Sequence, residues 1–468
     1  MGFRTSFAVD AESGHALTLD EPDELLAEWA FEDQPADQER LVRIAKQSVE
    51  KVRGLPYGVD ERTHTDAGWG MIFAENENPL ARGAGLKLIE HRRAQFTDAK
   101  KRDRRCKELT YRGERTAQDW VVNQGGDAGS VDPRKIPYYL LVVGGPERIP
   151  FHFTQDLAVE YRVGRLAFDE PENYSRYVDN LIAWEKETTP LDRRVAFFGP
   201  RYDRATELSS DRLLRPLLDG SDEDTQILQD AGFMPLELLE DEATSEALER
   251  LLGDPARRPS FLFTASHGAD LTCGHADQRR KQGNLVCQSL RGEGNSAMPQ
   301  LFGPQEIPAG GLTGMVTFAF ACHSAGTPRF DSIFRDKKTR ALTELTAEPF
   351  VSSLGQAMLA NGAVGFIGHI DLALGKSLLN PRGQEQLLPY RNLVSKILNG
   401  LPLGMALQDI HERYASLSAK LGTLQMSRRD SVVPDEEIVD TWLGRNDAGG
   451  YVLLGDPAAR LRLGLLAT

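Results

Sequence analysis

The alternation of short apolar runs with longer amphipathic segments constrains the fold of this chain more than any other feature. The apolar runs are WGMIFA (69–74), CKELTY (106–111), YYLLVVGG (138–145), RVAFFG (194–199), SFLFTAS (260–266), MVTFAFA (315–321), AVGFIGH (363–369) and YVLLGDP (451–457). Most are separated by stretches in which apolar residues recur three and four positions apart, the period of a helix. An order of strand, helix, strand predicts a parallel sheet covered by helices. We therefore predict an α/β fold with a doubly wound, mostly parallel sheet and helices on both faces.

The chain is predicted to divide into an N-terminal segment and two α/β subdomains. Residues 1–66 are acidic and mostly helix-prone, as in PDELLAEWAFED (22–33) and QERLVRIAKQSVEKV (38–52), and we expect them to form a separate element. The alternation begins at Trp69 and resumes as a second series after Pro190. We predict one subdomain over 67–190 and a second, stacked on it, over 191–468.

Charge and hydropathy exclude several classes of protein. The net charge is −14, whereas nucleic-acid binders and anionic-membrane binders need a basic face. The longest apolar region, 350–370, is interrupted by Gln356, Asn361 and His369, so it does not predict a membrane span. The first residues lack the apolar core of an export signal. We therefore expect a cytoplasmic protein that binds neither nucleic acid nor membrane.

The cysteines predict free thiols. There are 4 of them, too few and too unevenly spaced for a disulfide framework. A zinc site would draw on Cys273, His275 and Cys287, but no fourth ligand follows at a standard spacing. We therefore predict no metal site.

Two strand exits carry reactive side chains, and active residues of α/β sheets lie just past the carboxyl ends of strands. SFLFTAS is followed by His267 and Gly268, and MVTFAFA by Cys322. On neighbouring strands, the imidazole could take the thiol proton and later protonate a leaving amine. Gly268, which has no Cβ, and Cys322 could present two amides to an oxyanion. A free cysteine also packs as a small apolar residue, so the pattern alone leaves both roles open.

An apolar strand ending in His-Gly, followed by one ending in Ala-Cys, resembles the caspase-like cysteine peptidases, which include caspases, gingipains and CHAT-type peptidases. The resemblance to gingipains extends further. YYLLVVGGPERIP (138–150), EYRVGRLAF (160–168) and LIAWEKE (181–187) follow in that family's order, and TWLGRNDAGGYVLLGDPAARLRL (441–463) is similar to its closing Gly-Asp-Pro strand. The resemblance covers about residues 67 to 466 and implies a caspase-like fold.

The resemblance assigns roles at the two exits. Cys322 matches the nucleophile, His267 the general base and acid, and Gly268, with Cys322, the oxyanion amides. It implies peptide hydrolysis through a thioacyl-enzyme without a metal or organic cofactor; a structural calcium ion stays open. A third residue that orients His267 is not identified.

The resemblance also implies a specificity pocket. Ser210-Asp211 is similar to the gingipain segment whose aspartate binds the Arg or Lys side chain before the scissile bond. A carboxylate that reads a guanidinium discriminates strongly, because a neutral side chain leaves it unpaired. Asp is also favoured at helix starts, so a capping role for Asp211 stays open. Glu207 and Asp203 are weaker candidates for the pocket.

Further pocket residues and two basic loops are predicted in the second subdomain. Leu372–Leu374 fall where the family supplies a pocket wall, and His369 and Asp371 are expected to contact the substrate. Basic residues lie in the loops on either side of the nucleophile. Cleavage by the enzyme itself or by an upstream protease is predicted there, with candidate sites at Arg280, Lys281 and Arg340.

We therefore predict a cysteine endopeptidase that cleaves after Arg or Lys. Its expected partners are protein substrates with basic cleavage sites and an upstream activating protease or inhibitor. Prokaryotic relatives of this type imply a role in signalling, antiviral defence or cell death. Two alternatives stay open: a caspase-like peptidase with non-basic specificity, which for acidic residues would use Arg201 and Arg204, and a catalytically silent scaffold that binds a protein partner.

Overall fold

The structure is a computed structural model that describes residues 5–32, 54–127, 129–189, 192–219, 226–288, 299–380, 382–428 and 432–463. The helical pattern at 38–52 lies outside these residues. The predicted fold class is confirmed: a large, mostly parallel sheet is combined with helices throughout the described chain.

Each apolar run that predicted a strand contains one. The strands are β1 (Thr5–Asp10), β2 (Ala16–Thr18), β3 (Trp69–Ala74), β4 (Cys106–Tyr111), β5 (Tyr139–Val143), β6 (Arg162–Leu166), β7 (Arg194–Gly199), β8 (Met234–Leu239), β9 (Phe261–Ala265), β10 (His267–Asp270), β11 (Leu285–Val286), β12 (Leu301–Phe302), β13 (Val316–Phe320), β14 (Gly326–Thr327), β15 (Phe330–Arg335), β16 (Leu342–Glu344), β17 (Phe350–Val351), β18 (Gly365–His369) and β19 (Tyr451–Gly455).

Most of the helices also follow the predicted amphipathic stretches. They are α1 (Asp23–Glu32), α2 (His64–Ala67), α3 (Pro79–Ala94), α4 (Ala99–Arg105), α5 (Ala117–Asn123), α6 (Phe151–Leu157), α7 (Glu172–Lys186), α8 (Arg204–Ser209), α9 (Arg215–Asp219), α10 (Ile227–Asp230), α11 (Ser245–Gly253), α12 (Gln278–Lys281), α13 (Ser353–Ala360), α14 (Leu388–Leu398), α15 (Leu403–Ala406), α16 (Gln408–Ser427) and α17 (Asp435–Gly449). A π-helical turn, Ser210–Leu214, joins α8 to α9.

The main sheet joins both predicted subdomains. Its strand order is β4-β3-β5-β6-β19-β18-β13-β9-β7-β8, with 10 strands. Neighbours are parallel except β18 and β19, so the C-terminal strand β19 connects two halves that run in opposite directions. In the central strands β5, β9 and β13 every residue is buried. Because successive side chains point to opposite faces, both faces of the sheet are covered.

The N-terminal segment differs from the separate, helix-rich element that we predicted. Residues 5–10 form a strand of a second sheet, with the order β12-β11-β10-β1-β2. Helix α1 packs against α17, and Leu26 and Trp29 on α1 are fully buried in the main core. Residues 5–32 are therefore integrated into the rest of the molecule, while the predicted boundaries at 66 and 190 stay predictions.

Candidate active site

The main sheet brings the two reactive strand exits side by side. Strands β9 and β13 are parallel neighbours in which Ala265 pairs with Phe320. Cys322 and His267 each follow two residues later, so they leave the sheet at the same level. The Ser266 N–H donates to the Phe320 carbonyl at 3.1 Å and extends the pairing towards the exits.

The residue after His267 must be small because two backbones meet there. A Cβ on Gly268 would lie 1.9 Å from the Cys322 carbonyl oxygen and 3.1 Å from the Cys322 nitrogen. Real Cβ atoms do not approach backbone this closely. Glycine therefore lets the two amides predicted for the oxyanion hole lie near each other.

His267 is held by the carboxylate of Asp203, a residue that we predicted only as a weaker candidate for the pocket. The Nε2 atom of the buried His267 lies 2.7 Å from Asp203 Oδ2. Burial raises the pKa of Asp203, but the hydrogen bond and charge of His267 and the donors of Thr206 outweigh it and lower the pKa to about 2. An ionised Asp203 accepts the Nε2 proton. The opposite nitrogen, Nδ1, has no hydrogen-bond partner among the described residues and can serve as a base.

A signal for Asp203 was present in the sequence. Strand β7 pairs with β9 in parallel, so its exit lies beside that of β9. Asp203 follows this exit and forms a capping box with Thr206 at the start of α8, accepting the Thr206 N–H at 2.9 Å. The strand-exit rule, applied to RVAFFG as well, would have selected this aspartate.

Cys322 is fully buried. Its sulfur accepts the Ala373 N–H at 3.1 Å and lies 3.8 Å from the Ser6 hydroxyl. Burial raises the pKa of the Cys322 thiol well above its ordinary value, against the opposing hydrogen bonds of Ser6 and Ala373. In this arrangement the sulfur is a neutral thiol shielded from solvent.

Asp211 lies near the protein surface. It is on the π-helical turn, its side chain is 48% exposed, and its carboxylate is bound by Arg201 at 3.1 Å. The carboxylate is therefore half exposed and already paired, and its role in reading a basic side chain stays a prediction. Glu207 is exposed on α8.

His369 and Asp371 form hydrogen bonds within the protein. His369 is fully buried, with its Nδ1 2.8 Å from the Asp371 carbonyl oxygen and its Nε2 2.9 Å from the Asp447 carbonyl oxygen. Asp371 accepts the Leu372 N–H at 2.8 Å. Both side chains thus fix the segment that contains Ala373, and their contact with a substrate stays a prediction.

The candidate processing sites are not in the extended conformation in which strand-binding sites take a peptide. Arg280 and Lys281 lie on the short helix α12 and are paired with Asp277 at 2.8 and 2.7 Å. Arg340 has a φ of 61° in the turn between β15 and β16, and its guanidinium binds Glu28 at 2.6 Å. Cleavage at these sites would require local unfolding.

Neither a metal centre nor a membrane span is found in the part of the chain that the structure describes. No cluster of three or more His, Cys, Asp or Glu side chains there could hold a metal ion. None of the described helices combines the length and the apolar character needed to cross a bilayer.

Comparisons with known proteins find similarity in structure only. No family model matches the chain, and no curated protein matches it. Among solved structures, 11 chains match. One, described as the structure of a protease, is 11% identical, with 85% of this chain and 79% of that chain covered and a TM-score of 0.46. Two crystal structures of the Saccharomyces cerevisiae separase–securin complex are 11% and 10% identical, with TM-scores of 0.33 and 0.32. They cover 69% of this chain and 16% of theirs.

Proposed function

We propose that the protein is a cysteine endopeptidase in which Cys322 is the nucleophile, His267 is the general base and acid, and Asp203 orients His267. One observation carries this proposal. At the strand exit beside that of Cys322, a buried imidazole is held through Nε2 by a carboxylate, and its Nδ1 has no hydrogen-bond partner in the described part of the chain. Nucleophile, base and orienting group in this order are the signature of covalent catalysis.

The proposed reaction proceeds in two halves. The Cys322 thiol gives its proton to Nδ1 of His267, and the sulfur attacks the scissile carbonyl carbon. The N–H groups of Gly268 and Cys322 stabilise the oxyanion. His267 then protonates the leaving amine as the C–N bond breaks, which leaves a thioester on Cys322. Water, deprotonated by His267, hydrolyses the thioester, releases the carboxylic acid product and restores the thiol.

The identity of the residue before the scissile bond is a separate question. Cleavage after Arg or Lys depends on Asp211, and the acidic net charge of the chain accords with a basic substrate. Cleavage after acidic residues would depend on Arg201 and Arg204. Because Arg201 and Asp211 pair with each other, each reduces the other's charge at this surface. A cytoplasmic role in prokaryotic signalling, defence or cell death, with an upstream protease or an inhibitor as partner, also stays a proposal.

A peptide library tests the chemistry without assuming a specificity. Wild type, Cys322→Ala and His267→Ala are incubated with a library of proteome-derived peptides, and new termini are identified by mass spectrometry. We expect new termini with wild type and none with either variant, and the residue before each cut shows the specificity. Asp211→Ala is run in parallel, because loss of cuts after Arg and Lys in that variant alone would assign Asp211 to the pocket.

The rival function, a silent scaffold, predicts a different result. If the same termini form with wild type and with Cys322→Ala, they come from a contaminating protease, and the peptidase proposal loses its support. If wild type gives no termini, the incubation is repeated with protein from which strand β1 has been released from the site, and an absence of termini there as well would favour the scaffold.

A further inference from the structure

The N-terminal strand β1 lies directly against the residues assigned to catalysis. The Cys322 N–H donates to the Phe7 carbonyl at 3.3 Å, and the Phe7 N–H donates to the Ala373 carbonyl at 3.0 Å. Ser6 forms an antiparallel bridge with Leu374, and its hydroxyl lies 3.8 Å from the Cys322 sulfur. Cys322 and the segment that contains Ala373 therefore both form hydrogen bonds with the backbone of β1.

On its other side, β1 pairs with the strand that begins at His267. Ala8 pairs with Gly268 in a parallel register, and the Ala11 N–H donates to the Asp270 carbonyl at 2.8 Å. Donors and acceptors alternate along a parallel ladder, so this register directs the Gly268 N–H at the Phe7 carbonyl. The Phe7 carbonyl thus lies against both amides of the proposed oxyanion hole.

The side chain of Phe7 is fully buried among rings. Its ring meets Phe320 edge to face, with centroids 4.6 Å apart and planes at 78°. The centroid of the His267 ring lies 6.0 Å from that of the Phe7 ring. Burial of such a side chain stabilises the fold, whereas a charged group in the same place would lose its hydration. The space around Phe7 therefore suits an apolar side chain.

We propose that β1 occupies the substrate cleft as a bound peptide would, so that Phe7 marks the position before the scissile bond and the cleft selects a large apolar side chain there. This inference rests on the proposed function and names the substrate class of the same site. It differs from the basic specificity that the resemblance implies. It also makes β1 an inhibitor of its own site, because a peptide substrate needs the same amides and the same pocket.

The state of Cys322 agrees with a closed cleft. The side chain is inaccessible to solvent, and the Ser6 hydroxyl and Ala373 amide surround its sulfur. Removal of β1 would take away Ser6 and Phe7 and expose the thiol beside His267. The accessibility of Cys322 is therefore a measure of strand release that does not depend on turnover.

The first test releases the strand from the folded full-length chain. A recognition sequence for a site-specific protease is inserted in the exposed turn at residues 12–15, between β1 and β2. After cutting, the fragment is removed by size exclusion, and its loss is confirmed by intact mass. We expect Cys322 to react with iodoacetamide at least about tenfold faster, and the fluorogenic peptide Thr-Ser-Phe to be hydrolysed faster by a similar factor.

The other cysteines provide an internal control. Cys273 is exposed and reacts before and after cutting. Cys106 is buried on β4, and Cys287 is buried next to Val286, which pairs with His267. Faster labelling confined to Cys322 indicates an open cleft, and faster labelling of all the buried thiols indicates unfolding. If unfolding occurs, the second test applies.

The second test uses the uncut chain and separates apolar from basic specificity. Phe7→Arg should expel the strand from an apolar pocket and speed the labelling of Cys322 at least about tenfold. Phe7→Leu, the matched control, should label within about threefold of wild type. Labelling of Phe7→Arg that is unchanged or slower would mean that the pocket accepts a basic side chain, and would overturn the inference.

The two tests distinguish a failure of the β1 inference from a failure of the proposed peptidase function. Equal labelling and equal turnover before and after strand removal overturn the inference and leave the peptidase intact. Faster labelling without turnover of any peptide retains β1 as the occupant of the cleft and rejects the peptidase. Faster turnover of Thr-Ser-Arg than of Thr-Ser-Phe by the cut protein overturns the apolar class.

Discussion

At the scale of single residues, the site depends on how Asp203 is held. Its carboxylate accepts the Thr206 N–H at the start of α8 through one oxygen and binds His267 through the other. The helix start therefore fixes the carboxylate, and the carboxylate fixes the imidazole. A charged acceptor also stabilises the imidazolium that forms when Cys322 loses its proton. Asp203 is thus a positioning residue, because it acts through His267.

We expect Asp203→Asn to lower kcat by ~10², since it leaves a hydrogen-bond acceptor but removes the charge. KM should change less than about twofold, because the proposed role of Asp203 is to orient His267 and not to bind substrate. The rates are measured with Thr-Ser-Phe peptides on protein whose β1 has been released. Asp203→Glu should recover part of kcat, and Asp192→Asn, at an exposed ion pair, serves as the control. A larger change in KM than in kcat would contradict the positioning role.

At the scale of the elements, the strands that are buried on both faces of the sheet could be predicted from the sequence. The runs at β5, β9 and β13 are apolar except for Thr264 and Thr317, so their pattern indicates a strand without knowledge of the neighbours. Strands β1 and β10, TSFAVD and HGAD, lack such a run, and they pair with each other across more than 250 residues of sequence. Strand preference is dominated by such tertiary pairing, which a single sequence does not display. The position of β1 beside Cys322 was therefore missed with these long-range partners, whereas Asp203 was missed because the strand-exit rule was not applied to β7.

A buried ion-pair network joins elements of the first subdomain to the end of β19. Asp456, fully buried, accepts from Arg92 on α3 at 2.8 Å and from the Trp69 indole on β3 at 3.0 Å. Arg92 also binds Glu185 on α7 at 2.7 Å. The Gly-Asp-Pro segment that suggested a family resemblance thus has a structural role at the junction of the two halves of the sheet.

We expect Asp456→Ala to lower the free energy of unfolding by ~3–5 kcal/mol, because it removes one partner of a buried charge. Urea unfolding followed by tryptophan fluorescence measures the change. Asp103→Ala, in an exposed pair with Arg102, should shift the free energy by less than ~1 kcal/mol. Equal midpoints for the two variants would show that the network contributes no more than a surface ion pair.

At the scale of the whole molecule, the same network makes stability depend on pH. Burial raises the pKa of Glu185, but the charge and hydrogen bonds of Arg92 and His91 outweigh it and lower the pKa from 4.5 to about 2. A carboxyl whose pKa is lower in the folded state stabilises that state at pH values above its unfolded pKa. The stabilisation from Glu185 is therefore complete above about pH 5 and is lost as the pH falls towards 2.

We expect this group to contribute ~3 kcal/mol to the loss of unfolding free energy between about pH 5 and pH 2. Glu185→Gln should be less stable than wild type at pH 7, and its stability should decline less steeply with acid, because the variant has no carboxyl to protonate at this position. Urea unfolding at a series of pH values gives both slopes. Glu90→Gln, whose side chain is 71% exposed, should follow the wild-type slope. If the unfolding free energy of Glu185→Gln fell with acid as steeply as that of wild type, the acid sensitivity would have to arise from other carboxylates. The buried network would then not make the stability of the protein depend on pH.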